Sequence, residues 1–209
     1  VAKKFAGFVS DPANPVPYRK REDLKIRFTP RPYMTDDQRF ASNRDDVLVF
    51  QTEILKEDVT IAGPITAALN VSTTGTSADW IVKLVDVYPA DTPNDPRQPN
   101  VDLGGYQQMV RSEVLRGRFR NGFEKPEPFV ANKVTKVDVS LQDVYHTFKK
   151  GHRIMVHVQS SWFPLIDRNP QNYVDNIFKA KESDFQKQTH RVYFSKETPS
   201  VVKVRVLNK

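Results

Sequence analysis

Four histidines, eleven serines and no cysteine bound the chemistry open to this chain of 209 residues. Acyl transfer by a serine needs the hydroxyl on a sharp turn, commonly flagged Gly-x-Ser-x-Gly, with a histidine as base. No serine here is flanked by glycines in that way, and the chain has only eight glycines. The histidines, His146, His152, His157 and His190, show neither His-x-x-x-His nor Glu-x-x-His spacing, so a zinc protease helix has no support. His152 and His157 are five apart on an expected strand and so point to opposite faces. All four read as surface or hydrogen-bonded histidines. The absence of cysteine removes disulfides, thiolate metal sites and a cysteine nucleophile.

The acids are equally bland. Asp36-Asp37 and Asp45-Asp46 could offer oxygens to a hard cation, yet no Asp-x-Asp-x-Asp-Gly loop surrounds them. They are expected to be solvated turn carboxylates or partners of Arg39 and Arg44. Nothing singles out a carboxylate pair for glycoside hydrolysis. Asp86 shares a strand face with Trp80, Val82 and Leu84, and a carboxylate there needs a partner or a place at the strand's rim. Arg116, Arg118 and Arg120 are expected to line one strand face, a stripe that could follow phosphates. The interleaved Gly117 and Phe119 would point inward and offer no stacking ring. A solvated face, or a contact with an acidic neighbouring domain, is the expected use. Charge is uneven: residues 1–105 hold 13 Lys and Arg against 15 Asp and Glu, and the remainder 19 against 10. A basic half attracts nucleic acid or an acidic partner.

The elements that must position these residues are strands. Val47–Thr52, Val59–Ala62, Ile65–Thr73, Trp80–Tyr88, Tyr106–Arg120, Val134–Leu141, His152–Ser160, Thr189–Ser195 and Val201–Leu207 are rich in β-branched and aromatic residues. Gly63-Pro64 reads as a turn between the second and third. Trp80–Tyr88 carries apolar residues on both faces, with Ile81, Val85 and Val87 opposite Trp80, Val82 and Leu84, so both of its sides need a cover. The parity slip between Val110, Val114 and Leu115 predicts a β-bulge near Val114-Leu115. A short helical turn is expected within Ile177–Gln188. Residues 1–45, with five prolines, read as an extended arm, and Leu24–Phe28 as an edge strand within it. The fold class that follows is all-β, antiparallel sheets packed as a sandwich over residues 46–209. Long connections at 89–105 and 161–188 favour a jelly-roll path. No apolar run approaches the ~20 residues that cross a bilayer. The sequon at Asn70 lies inside an expected strand, where glycosylation is disfavoured. The start at Val1-Ala2-Lys3-Lys4-Phe5 reads as a boundary within a longer protein.

Several phrases together resemble a known family. They are Asp11–Tyr18 (DPANPVPY), Asp37-Gln38-Arg39, Arg44–Leu48, Thr76–Trp80 running into Lys83–Pro89, Gly151–Val156, and Ser160–Pro164 with Asp167-Arg168-Asn169. In this order they are similar to the C-terminal domain of the X-Pro dipeptidyl-peptidase and cocaine esterase family. Within it they come nearest to α-amino-acid ester hydrolases and glutaryl cephalosporin acylases. The resemblance implies a jelly-roll sandwich of the galactose-binding-domain-like kind. It also implies a parent with an N-terminal α/β-hydrolase domain holding the whole Ser-His-Asp triad, so no catalytic residue carries over to this chain. It implies no metal and no cofactor, and a bacterial periplasmic or secreted parent. The expected partner is the parent's hydrolase domain; a homo-oligomer is allowed, and neither nucleic acid nor membrane is expected. In relatives the stretch matching Tyr18–Asp37 approaches the acyl pocket. Phe28, Tyr33 and Met34 are therefore candidates for the cleft wall or domain interface, and Trp162 and Phe163 for a second contact. The competing reading is a carbohydrate-binding β-sandwich with Trp162 as its platform, since the chain holds 22 aromatic residues. A nucleic-acid binder, motivated by the basic half, is the third.

Overall fold

The computed structural model describes residues 4–20 and 31–207. Among them nine strands form two antiparallel sheets: β1 (Phe5–Ser10), β2 (Leu48–Gln51), β3 (Val59–Thr73), β4 (Asp79–Val87), β5 (Gln107–Arg116), β6 (Thr135–Phe148), β7 (Arg153–Gln159), β8 (Gln188–Tyr193) and β9 (Val201–Lys203). One sheet runs β1-β8-β3-β6, with β9 following β8 along the same edge of β3; the other runs β2-β7-β4-β5. The chain crosses between the sheets at every connection except β4 to β5 and β8 to β9, which fits a jelly-roll path. No helix of the described residues is long and apolar enough to cross a membrane.

The core lies between the sheets. Trp80, Val82 and Leu84 of β4 meet Ile65, Ala67, Leu69 and Val71 of β3 and Val137, Val139 and Leu141 of β6. Odd residues of β3 point inward, as do Val137, Val139 and Leu141 of β6, and beyond Gln142 the parity of β6 switches so that Val144 and Phe148 face the core and Tyr145 faces water. Each buried aliphatic or aromatic side chain stabilises by about 1.5–3 kcal/mol.

Three expectations are corrected. Gly63-Pro64 does not end a strand. Gly63, at φ +99°, and Pro64 stay paired with Val144 and Asp143 of β6, and the register shift that follows puts the extra residue on β6, where Leu141 and Gln142 (φ +65°) face Ile65. A glycine at positive φ followed by a residue without an N–H can sit inside a strand next to a bulge as well as in a turn. The partner β6 accordingly runs on past Leu141 to Phe148. The bulge on β5 lies at Val110, where the register against β4 slips between Leu84 and Val85, and not near Val114-Leu115. As a result Val110 and Leu115 pack on the core while Met109 and Val114 face outward. The arginine stripe dissolves because β5 ends at Arg116 and a 3-10 turn follows over Gly117–Phe119. Arg116 then meets Asp79, Arg118 donates to Val174 and Tyr173, and Arg120 to Gly117, Glu127 and Pro128.

Elsewhere the stretch read as an arm opens with a strand, β1, that pairs with β8. Ile177–Lys179 and Glu182–Asp184 are 3-10 turns. Leu24–Phe28, including the candidate Phe28, lies outside the described residues.

Candidate functional site

β4 needs two covers, and the second is built from the arm and the loop after β7. On the outward face of the four-stranded sheet, Ile81 stands opposite Gln159, Lys83 opposite His157 and Val85 opposite Met155. Tyr18, Ile81, Met109 and Trp162 are buried there together, with Tyr33, Val114, Leu165 and Ile166 packed around them. The arm is stitched to the loop by backbone: Phe163 N donates to Val16 O and Tyr18 N to Phe163 O, both at 2.9 Å. Val16 N donates to Ser161 Oγ at 2.9 Å. Farther along, Gln38 N donates to Gln107 O at 3.0 Å, and Asp37 Oδ1 accepts from Gln107 N at 3.2 Å.

The acidic pairs hold the arm's own shape. Asp36 pairs with Arg19, Asp37 with Arg39 and Asp46 with Arg44. Arg39 also donates to Gly104 O at 3.0 Å, tying the arm to the 89–105 loop. The expected pairing with Arg39 and Arg44 is thus met, and Arg19 adds a third pair.

Of the five candidate residues, four are described, and the fold packs Tyr33 against Trp162. Tyr33 stands edge-on to Trp162 with ring centroids 5.8 Å apart, and lies 5.7 Å from Tyr18. Trp162 is only 4% exposed, so its ring anchors the arm and gives no open platform for a sugar. Its neighbour Phe163 is 40% exposed and Met34 is 51% exposed. Met34 follows Tyr33 in the arm and Phe163 follows Trp162 in the loop, so each exposed side chain is next in sequence to one member of the packed ring pair.

Beneath this cover lies a polar cluster that the sequence reading passed over. Lys83 is fully buried, donates to Gln38 Oε1 at 3.0 Å and sits 4.7 Å from the centre of the Trp162 ring. Burial pulls its pKa from 10.5 down to about 7, since an ammonium with one acceptor is poorly compensated. His157, also buried, donates from Nε2 to Met155 Sδ at 3.2 Å. Burial, with Lys83 beside it, holds His157 at about 3. The signal was a lysine at the centre of an apolar nine-residue run.

Two further clusters sit at the sandwich ends. Asp86 is buried and accepts from His146 Nε2 at 2.9 Å and His152 Nδ1 at 2.7 Å, so it joins β4 to β6 across the sheets. The Tyr88 ring stacks 4.8 Å from His152. Asp79 accepts from Asn169 Nδ2 at 2.7 Å and pairs with Arg116 at 3.2 Å. Burial raises its pKa, while Arg116 and Asn169 oppose the rise. His190 lies in the core between Phe8 and Trp80, donating from Nε2 to Gln171 Oε1 at 2.6 Å. Burial lowers it to about 3. Among the described residues no histidine has a serine hydroxyl as hydrogen-bond partner, and no three His, Asp or Glu side chains converge as metal ligands.

Comparison with known proteins places this geometry. The family model described as the X-Pro dipeptidyl-peptidase C-terminal non-catalytic domain matches residues 21–203. The cocaine esterase of Rhodococcus sp. (strain MB1 Bresler) is 30% identical over 202 residues, which are 97% of this chain and 32% of that protein. The crystal structure of an aminopeptidase from a marine sediment archaeon, Thaumarchaeota archaeon, superposes with a TM-score of 0.90 at 44% identity, covering 100% of this chain and 34% of that one. An α-amino acid ester hydrolase superposes with a TM-score of 0.88 at 45% identity, covering 98% and 33%. The chain therefore spans about a third of the length of these relatives.

Proposed function

This chain belongs to the family of X-Pro dipeptidyl-peptidase C-terminal non-catalytic domains, and from that premise we propose that it shapes the substrate cleft of a serine hydrolase whose nucleophile, base and oxyanion hole lie in a preceding domain of the parent. The parent's chemistry is acyl transfer from an ester or amide. A serine elsewhere attacks the carbonyl, a histidine elsewhere relays the proton, and backbone donors elsewhere hold the oxyanion. What this chain adds is a rigid wall.

One observation carries the reading. The arm is clamped to the outer sheet face, with Trp162 beneath it, so that Tyr33 is fixed while Met34 and Phe163 stay exposed. Apolar side chains held on a rigid sheet position substrate far better than the same residues on a free loop. Histidines bound to Asp86 and Gln171 are occupied structurally, which fits a domain that lends shape to the reaction.

The test is kinetic, on the full-length parent. Met34→Ala and Phe163→Ala are expected to raise KM by roughly threefold to tenfold with kcat nearly unchanged, the pattern of lost uniform binding. Unchanged KM and kcat for a panel of ester and amide substrates in both variants would remove these residues from the cleft.

A further inference from the structure

A second apolar feature lies between the sheets, where β2 and β7 face β8 and β9. A cleft of about 460 Å³ opens there. Its floor is Leu69, Val158 and Val192, its walls are Phe50 and Phe194, and Val202 of β9 lies along one side. Phe50 and Phe194 meet edge-to-face at 6.3 Å. A jelly-roll core is normally closed at this level, and an opening of this size leaves apolar surface wet.

The cleft runs beside an unfinished sheet edge. β9 pairs with β3 alone, and among the described residues Val201–Lys203 make no backbone hydrogen bond on their other side. The neighbouring β1 fills the corresponding place beside β8, antiparallel, with Phe5 opposite Tyr193. Because β8 and β9 run in the same direction along β3, the N-terminal end of β1 lies beside the end of β8 from which β9 continues along β3. The β1–β8 ladder runs one residue further toward β9: Lys4 O accepts from Phe194 N at 3.0 Å.

We infer that the segment of the parent leading into β1 docks as an extended strand on the free edge of β9 and seats apolar side chains in the cleft walled by Phe50 and Phe194. The inference rests on the reading that a catalytic domain precedes this one, which the one-third coverage of the relatives supports. An exposed edge beside an apolar groove is what strand addition recognises: backbone hydrogen bonds supply affinity, and alternate side chains fill the groove. Such a strand also removes an aggregation-prone edge. It would join the two domains rigidly, so that Met34 and Phe163 are held in one orientation to the substrate cleft.

Hydrogen exchange tests this. The 209-residue chain is compared with a version extended upstream along its own gene to the end of the preceding domain. The amides of Val201–Lys203 are expected to exchange at least about tenfold more slowly in the extended form. Fluorescence of 1-anilinonaphthalene-8-sulfonate, bright on the short form, should fall in the extended one. Phe194→Ser should lower the melting temperature of the extended form more than that of the short one. Equal exchange at Val201–Lys203 in both forms overturns the inference, as does protection that appears in the short form only at high concentration, which would assign the edge to a second copy. If the upstream region encodes no hydrolase, the functional reading fails on its own; if it does and the amides stay unprotected, only the strand fails.

Discussion

The two sheets treat their outward faces differently. On the five-stranded sheet, the first half of β6 alternates, with Val137, Val139 and Leu141 inward and Lys136, Asp138 and Ser140 in water. On the four-stranded sheet, β4 is buried on both faces, and the arm and the Trp162 loop replace solvent. The bare face is a finished surface, whereas the covered face is a second, smaller core that encloses a lysine. Such a cover costs stability where it traps polar groups, Lys83 and His157 above all.

The contrast can be broken most severely at the anchor. Trp162→Ala should destabilise by about 3–5 kcal/mol, since a buried aromatic leaves a cavity. In thermal melts this is a fall of roughly 10 °C. Far-UV signal from the sheets should survive to higher temperature than near-UV signal from the cover. A loss below about 0.5 kcal/mol, the range of surface changes, would mean the cover is not a core.

Next comes the trapped lysine. Its folded pKa of about 7 lies below the 10.5 of an open chain. Between these values the unfolded state holds the extra proton, so stability rises with pH across that window and is least below it. The gain should be of order a few kcal/mol, and Lys83→Met should flatten the slope while stabilising the protein at pH 7. A wild-type melting temperature that does not rise from pH 7 to pH 10 would contradict it.

The acid side separates cover from core. His157 beneath the cover and His190 between the sheets both have folded values of about 3 against 6.5 when free. The unfolded chain therefore takes up protons first as pH falls, and stability is lost from about 6.5 toward 3. His157→Gln and His190→Gln should each remove part of that acid slope in melts between pH 7 and pH 4. Gln38→Ala is a smaller change: it strips Lys83 of its acceptor and should cost about 1–3 kcal/mol. Tyr145→Ala, on the bare face, should stay within about 0.5 kcal/mol, which urea titration can resolve.

Much of this architecture was legible in the chain. Apolar alternation placed β2, β4, β7 and β8 within a residue or two, and apolar residues on both sides of Trp80–Tyr88 required a second cover. The site was legible in parts: spacing and resemblance pointed to Tyr33, Met34, Trp162 and Phe163. The packing of Tyr33 against Trp162 depends on backbone pairing between Val16–Tyr18 and Phe163, which no local pattern encodes. Gly63-Pro64 misled because a glycine before a proline reads as a turn, and only its unbroken pairing with Val144 and Asp143 of β6 shows a continuous strand. The arginine stripe misled because nothing in Arg116–Arg120 marks the end of β5. Lys83 was overlooked because a charged residue mid-strand reads as solvent-facing until the arm is seen to cover it.

The central claim is that this domain lends shape to a reaction performed elsewhere in its parent. Labelling the purified 209-residue chain with a fluorophosphonate, and following p-nitrophenyl ester hydrolysis alongside, tests it most directly. The account predicts no stoichiometric label and no burst of p-nitrophenol. One equivalent of covalent label accompanied by a burst would contradict it.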